Sequence, residues 1–384
     1  MIIQFRFENF RSFRQSALIR LQATGSKSHP HHLAALPCGQ ILKNLAIYGP
    51  NASGKSQLIN AFRCYHAIVS WQLPAFSHLD RDETILSIPP LSSLLPEILS
   101  PGSGAPVSFS MQFYSRGHIF EYGFSFENAL PEEEFLLADG KLMYRKEKEK
   151  LYIGKVFHLK PSQTPSMVSN GFFLGSFISH SPAEYTELTR AFLSFFREDF
   201  LFFDNNCLFQ PGTSPSPGSL LIQKALKQAE ARTFILKHLH AMGLSLPESS
   251  PSLPLSSTGL SKLVLLLYRF FCLSRTGGVL LADDLTAFLH HNASLYFLRL
   301  FQSVQDPPIQ LIFTTHDISF LNRDQFRRDE VAMVCLDSAG SSRLRTLADL
   351  RVRSDANFSR EYLEGKYGKI PAWEEEPSDE ERSF

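Results

Sequence analysis

Eight consecutive residues near the start of the chain have the types and spacing of a phosphate-binding loop. The pattern Gly-x4-Gly-Lys-Ser/Thr is matched by Gly49, Pro50, Asn51, Ala52, Ser53, Gly54, Lys55 and Ser56. Its glycines let backbone N–H groups turn inward and bind the α- and β-phosphates at a helix N-terminus. Lys55 would then reach the β- and γ-phosphates, and the Ser56 hydroxyl would bind Mg²⁺. The motif predicts a site for a nucleoside triphosphate and magnesium.

A pair of carboxylates follows an apolar run later in the chain. The run Val279–Ala282 is typical of a buried strand, and it ends in Asp283 and Asp284. Beside a phosphate-binding loop, Asp283 is predicted to hold magnesium through water and Asp284 to polarise the attacking water. The alternative is that Asp284 caps a helix predicted over Thr286–Ser303.

Two further segments could contact phosphate. His316 follows a second apolar run, Gln310–Thr314, and from the end of a strand it can donate a hydrogen bond to a γ-phosphate. The alternative is a structural histidine. Ser257 and Gly259 come just before an apolar helix pattern, where hydroxyls and a glycine at a helix N-terminus can bind an anion. The alternative there is an ordinary N-cap by Ser256 or Ser257.

The elements that would position these residues form an interrupted α/β pattern. Strands and helices alternate from Val279 onward, which predicts a parallel sheet covered by helices. Between the halves, residues 108–126 alternate with period two and predict a hairpin, and residues 219–242 predict one long helix. We therefore expect one domain in two halves, residues 1–85 and 246–372. A β-rich and helical insertion, residues 86–245, would lie between them, and residues 373–384 would form an acidic tail.

Composition excludes several classes of protein. The chain has 384 residues, 43% apolar and 20% charged, which is inconsistent with a disordered or fibrous protein. Lys plus Arg and Asp plus Glu both number 38, which excludes a globally basic nucleic-acid binder but leaves room for a local patch in the basic first 70 residues. The five scattered cysteines and the lack of a signal peptide or membrane-spanning run predict a reduced, cytoplasmic protein without a membrane partner. We interpret His29-Pro30-His31-His32 as a loop rather than a metal site.

The motifs together resemble those of ABC-type ATPases related to RecF and SMC proteins. The sequence is most similar to the small bacterial AAA family ATPases with ABC-like sites, some of which act in phage-defence and abortive-infection systems, the ATPase subunit of the PARIS system among them. The resemblance extends over nearly the whole chain. Besides the motifs above it includes Phe7-Glu8-Asn9-Phe10-Arg11-Ser12-Phe13, Arg353–Phe358 and Tyr362–Pro371.

The resemblance implies an ABC-type P-loop NTPase head, with a mostly parallel sheet flanked by helices and an inserted antiparallel β and helical arm. It also implies that two protomers enclose ATP and Mg²⁺ between them. Each nucleotide would lie on the phosphate-binding loop of one protomer, and Ser257 and Gly259 of the other would contact its γ-phosphate. Binding and hydrolysis would act as a conformational switch on a separate effector protein, and DNA is a further candidate partner.

The sequence departs from the family pattern at the presumed base. The family usually has Asp-Glu where this chain has Asp283-Asp284, and the shorter side chain predicts slow hydrolysis. The glutamine that usually senses magnesium is not identifiable: Ser179 and His180 lie near the expected position, whereas Gln72 and Gln112 do not. Two alternatives follow, a poorly hydrolysing ATP-binding scaffold or sensor and a RecF-like DNA-repair ATPase. A transporter subunit is least favoured because its usual signature is absent.

Overall fold

The computed structural model describes residues 1–73, 105–127, 130–155, 171–208, 216–244 and 257–368. Ser256 and the predicted acidic tail lie outside the described residues. The strands are β1 Ile2–Glu8, β2 Ala17–Arg20, β3 Leu33–Leu36, β4 Gly39–Leu42, β5 Asn44–Tyr48, β6 Val107–Ser115, β7 His118–Glu127, β8 Leu130–Ala138, β9 Lys141–Glu147, β10 Lys150–Ile153, β11 Phe200–Phe203, β12 Gly278–Ala282, β13 Ile309–Thr314, β14 Val331–Leu336 and β15 Ser342–Thr346. The α-helices are α1 Lys55–Gln72, α2 Leu174–His180, α3 Thr186–Ser194, α4 Pro217–Lys227, α5 Ala229–Ala241, α6 Thr258–Thr276, α7 His291–Ser303 and α8 Phe358–Leu363.

The central sheet has six strands in the order β11-β12-β13-β5-β14-β15, and every neighbouring pair is parallel except β14 with β15. Its strands β5, β12 and β13 are buried throughout, as expected for a sheet covered on both faces. Their side chains alternate between two hydrophobic clusters: Leu281 and Ile312 belong to one, Leu280 and Phe313 to the other. This arrangement confirms the predicted mostly parallel sheet flanked by helices.

A second, antiparallel sheet has seven strands in the order β10-β9-β8-β7-β6-β1-β2. The predicted hairpin is present as β6 and β7, with Phe109 opposite Phe124. Strand β6 also pairs with β1, so the β-strands of the inserted segment continue the sheet that the N-terminal strands begin. Helix α1 packs against this sheet, where Phe5 stacks on Phe62 at a ring distance of 4.1 Å.

Two predicted helices differ from the structure. The single helix predicted over residues 219–242 is two helices, α4 and α5, because the chain is extended at Gln228. The helix predicted over Thr286–Ser303 begins only at His291, and His290 caps it by accepting the N–H of Asn292. Asp284 is therefore not its cap. Among the described residues, none of the helices has both the length and the hydropathy that crossing a membrane requires.

Candidate functional site

The phosphate-binding loop connects the buried strand β5 to helix α1. Gly49 and Gly54 have φ values of 155° and 110°, and at both positions the surroundings leave no space for a side chain. A Cβ on Gly49 would lie 2.2 Å from the carbonyl oxygen of Val334, and one on Gly54 would lie 2.3 Å from Ser342 Oγ. Strands β14 and β15 therefore fix the loop from behind. Glycines at these two positions therefore let the loop backbone pack directly against β14 and β15.

Lys55 begins helix α1 and folds back over the loop. Its Nζ donates hydrogen bonds of 2.7 and 2.8 Å to the carbonyl oxygens of Gly49 and Pro50. Burial lowers the pKa of Lys55 to about 8, and the nearby Asp283 and Asp284 oppose that shift. Ser56, the next residue, is exposed. The lysine is thus held over the loop, and neutral carbonyl oxygens are its hydrogen-bond acceptors there.

Asp283 and Asp284 follow β12, as predicted, and Thr314 at the end of β13 holds both. The Thr314 hydroxyl donates to Asp283 Oδ1 at 2.6 Å, and the backbone N–H of Asp284 donates to Thr314 Oγ1 at 2.7 Å. Asp284 has a left-handed backbone, with a φ of 50°. These bonds keep the pair at the carboxyl end of the strand, and both residues are only half-buried. The carboxylates are therefore accessible to a ligand from the edge of the sheet.

His316 lies just beyond the end of β13 and is exposed. Burial of part of its ring lowers its pKa, the charge of Lys55 lowers it further, and the charges of Asp284 and Asp283 oppose these effects. The imidazole is therefore neutral at pH 7 and retains one N–H to donate. The charges of Lys55, Asp283 and Asp284 all act on the His316 ring. The four predicted side chains therefore lie near one another.

The sheet order explains this convergence. β13 lies between β12 and β5, and all three strands are parallel, with Ala282 opposite Phe313 and Thr314 opposite Ile47. The residues that follow these three strands therefore lie side by side at one edge of the sheet. Ligands of open α/β sheets bind at this carboxyl edge.

Two residues without a role in the sequence prediction also lie at this site. Asn205 follows β11, the neighbour of β12, and its Nδ2 donates to the carbonyl oxygens of Asp283 and Asp284 at 3.3 Å each. Its buried Oδ1 has no hydrogen-bond partner in the described part of the chain. Arg11 donates to Gln57 Oε1 in the first turn of α1 at 2.5 Å. The polar run after the short apolar strand β11 was a signal that could have identified Asn205.

Ser257 and Gly259 lie at the start of helix α6. Ser257 is exposed, and its Oγ accepts the N–H of Leu260 at 3.4 Å, so the ordinary N-cap is present. A Cβ on Gly259 would lie 2.6 Å from the carbonyl oxygen of Phe288, which places this helix start directly against the turn after the carboxylates. From the same helix the fully buried Lys262 donates to the carbonyl oxygens of Asp284 and Ala287, each at 2.9 Å. Helix α6 and the carboxylate turn are therefore in direct contact and are joined by two hydrogen bonds.

The fold and the site define a P-loop ATPase. Such proteins bind ATP at the edge of a parallel sheet. One strand carries a Gly-x4-Gly-Lys-Ser loop, and a nearby parallel strand ends in an acidic pair. The chain belongs to the family described as "AAA domain, putative AbiEii toxin, Type IV TA system", whose model matches residues 45–322. This membership confirms the resemblance to AAA family ATPases that the sequence motifs indicated.

Comparison with other proteins adds two similar folds. The chain is similar to the SMC head domain from Thermotoga maritima, at 13% identity and a TM-score of 0.44, over 90% of this chain and 98% of that chain. It is also similar to an SMC head solved bound to the C-winged helix domain of ScpA, at 14% identity and a TM-score of 0.45, over 90% of this chain and 97% of that one. No curated protein matches the chain.

Proposed function

We propose that this protein binds ATP and Mg²⁺ between two protomers and uses binding and hydrolysis as a conformational switch. One observation carries the proposal: the phosphate-binding loop, the carboxylate pair and His316 meet at the carboxyl edge of three adjacent parallel strands. Each group supplies a different part of phosphoryl chemistry, namely phosphate binding, metal binding with activation of water, and recognition of the γ-phosphate.

The residues at this edge fit a nucleotide and its metal. The loop has no side chain at Gly49 or Gly54, where a Cβ would meet other atoms, and Ser53 Oγ is buried without a partner among the described residues. Lys55 would exchange two carbonyl acceptors for phosphate oxygens. Ser56 and Asp283 would hold Mg²⁺, and Asn205 would take the place of the unidentified magnesium-sensing glutamine. When bound, the metal would neutralise negative charge on the phosphates.

Asp284 and His316 are the groups we assign to hydrolysis. Asp284 would orient and deprotonate the attacking water, and the neutral His316 would donate its N–H to the γ-phosphate. Thr314, Asn205 and Lys262 fix the backbone of Asp284 through three hydrogen-bonded contacts, so its carboxylate can extend only as far as its single methylene allows. We therefore expect hydrolysis slower than with a glutamate, because a displacement of about 1 Å can cost ~100-fold in rate.

Ser257 and Gly259 would contact the γ-phosphate of the partner protomer. Ser257 is exposed at the N-terminus of α6, where the helix dipole favours an anion. Lys262 on the same helix binds the backbone of the carboxylate turn, so closure of the dimer on this helix would also act on Asp284. ATP binding at one site would thereby be communicated to the other.

Slow hydrolysis supports a second candidate function, an ATP-held scaffold or sensor that retains a separate effector protein. We place either form of the switch in phage defence, in keeping with the toxin-antitoxin description of the family.

A third candidate, a DNA-repair ATPase, is supported by Arg6 and Arg20, which are exposed on the same face of the paired strands β1 and β2. ATP-dependent, salt-sensitive binding of DNA that Arg6→Glu weakens would favour the third.

Nucleotide affinity tests the proposal. We expect the wild-type chain to bind ATP with Mg²⁺, and Lys55→Ala to weaken binding at least ~10-fold because a charge-assisted contact to phosphate is lost. Lys27→Ala is the matched control, since Lys27 is an exposed lysine outside the site, and we expect it to bind as the wild type does. Equal affinity of wild type and Lys55→Ala, by calorimetry, would contradict the assignment of the loop.

A further inference from the structure

Three histidines form a cluster on the turn that precedes β3. Each of His29, His31 and His32 offers a ring nitrogen, and these three nitrogens lie within 4.8 Å of one another. His29 has a left-handed backbone with a φ of 46°, and its ring stacks on that of His32 at 4.8 Å. The sequence favoured a plain loop here. The structure shows that the three imidazole rings on this loop lie close together.

Two of the rings are already oriented from behind. The Nε2 atom of His29 lies 2.8 Å from the carbonyl oxygen of Arg323, and Nδ1 of His32 lies 2.8 Å from Glu330 Oε2. If these nitrogens carry the protons, the opposite nitrogens, His29 Nδ1 and His32 Nε2, each present a lone pair. Metal-binding histidines have this arrangement, in which the second ring nitrogen donates to a carbonyl oxygen or a carboxylate.

Several ionisable groups surround the cluster. Lys43 donates to the carbonyl oxygen of His31 at 2.9 Å, and Arg327 binds Asp329 in a buried ion pair at 2.9 Å. The Glu330 side chain faces His32, with Oε2 2.8 Å from Nδ1.

We propose that His29, His31 and His32 bind a divalent ion of the zinc class, with imidazole nitrogens as three ligands and water as the fourth. Tetrahedral coordination at about 2.0–2.1 Å needs ligand nitrogens about 3.3 Å apart, so the rings must draw together. His31 is exposed and can supply that movement, whereas His32 is 2% exposed and held by Glu330. The exposed side of the cluster leaves the fourth position open to solvent.

Hydrogen bonds of His29 and His32 connect the cluster to a distant part of the chain. Glu330 immediately precedes β14, and Arg323 lies between His316 and that strand. A metal held by His29 and His32 would fix the orientation of the two rings that contact this segment, which leads from His316 into the central sheet. This site is separate from the nucleotide site, and the proposal does not depend on ATP binding.

Metal titration of the full-length, chelator-treated protein without nucleotide tests the proposal. We expect one Zn²⁺ per chain, measured by competition with a chromophoric chelator, and a tetrahedral visible spectrum when Co²⁺ replaces it. His31→Asn should weaken Zn²⁺ binding at least ~100-fold, because loss of an outer-shell partner alone costs about 10–100-fold. His240→Asn, at an exposed histidine on α5, is the matched control and should bind as wild type does.

His31→Asn should keep the wild-type circular dichroism spectrum, because His31 is exposed, and His29→Asn provides a second variant with the same expected loss. Zn²⁺ should also raise the melting temperature of the wild type and not that of either variant. Equal Zn²⁺ affinity of wild type and both variants would overturn the proposal. So would near-UV thiolate bands in the Co²⁺ spectrum, because they would place the ion on cysteines such as Cys38 instead.

Discussion

Lys55 is the residue whose protonation state affects nucleotide binding most directly. It is buried over the loop, its present acceptors are neutral carbonyl oxygens, and its pKa is about 8. Phosphate oxygens would replace these acceptors with anionic ones and would raise that pKa. Binding of ATP is therefore linked to the protonation of a single lysine.

This linkage predicts a pH dependence of ATP affinity. Below pH 8 Lys55 is charged in the free protein, so binding needs no proton from solvent; above pH 8 part of the free protein is neutral, and binding must take up a proton. The dissociation constant should rise above about pH 8, by up to ~10-fold per pH unit. Calorimetry across pH 7–10 measures it, with Lys55→Arg as control because arginine stays charged. A flat profile for the wild type would be incompatible with the linkage.

Asp284 carries the second prediction at this scale. Its backbone is fixed by Thr314 and Lys262, so the length of the side chain decides where the carboxylate lies. Asp284→Glu adds one methylene and should raise the turnover number about 10–100-fold with little change in ATP affinity. Asp284→Asn removes the base and should abolish turnover. If Asp284→Glu is slower than wild type in a steady-state assay, the chain is adapted to the shorter base, and our explanation of slow hydrolysis is wrong.

Among the elements, the contact between helix α6 and the turn after β12 connects, within one protomer, residues that belong to two different composite sites of the proposed dimer. Gly259→Ala would place a Cβ 2.6 Å from the carbonyl oxygen of Phe288 and push the helix start away from that turn. We expect this variant to bind ATP as a monomer with wild-type affinity and to lose most ATP-dependent dimerisation, measured by light scattering. Gly25→Ala is the control, because nothing lies within 4 Å of its Cβ position. Unchanged dimerisation of Gly259→Ala would count against a role for this segment in the interface.

The strands and helices also show which elements sequence patterns alone can predict. β12 and β13 were predicted from apolar runs, because strands buried on both faces have no polar alternation to confuse the assignment. The break at Gln228 was not predicted, because the apolar period continues across it and neither Gly nor Pro marks it. The turn over Thr286–His290 was predicted as part of a helix because neither Gly nor Pro interrupts it. A hydrogen bond from buried Lys262 to the carbonyl oxygen of Ala287 holds it in another conformation.

At the scale of the whole molecule, pairings between distant segments decide the architecture, and local patterns do not encode them. Strand β6 joins β1 across more than a hundred residues, with Ser110 opposite Arg6, and β11 joins the central sheet beside β12. The second pairing brings Asn205 to the carboxylates, which is why a candidate magnesium ligand escaped the sequence analysis. The same applies to the histidine cluster, since its partners Arg323 and Glu330 are some three hundred residues away.

The central claim is that the ATPase site is complete only when two protomers meet, and steady-state ATP hydrolysis at increasing protein concentration tests it most directly. We predict slow turnover with Mg²⁺ whose specific activity rises with protein concentration until the dimer is saturated, and no activity in Lys55→Ala. Mixing Lys55→Ala with Ser257→Arg, each inactive alone, should restore part of the activity, because their heterodimer contains one intact composite site. Hydrolysis with a specific activity independent of concentration, and no recovery on mixing, would show that one protomer suffices and contradict the account.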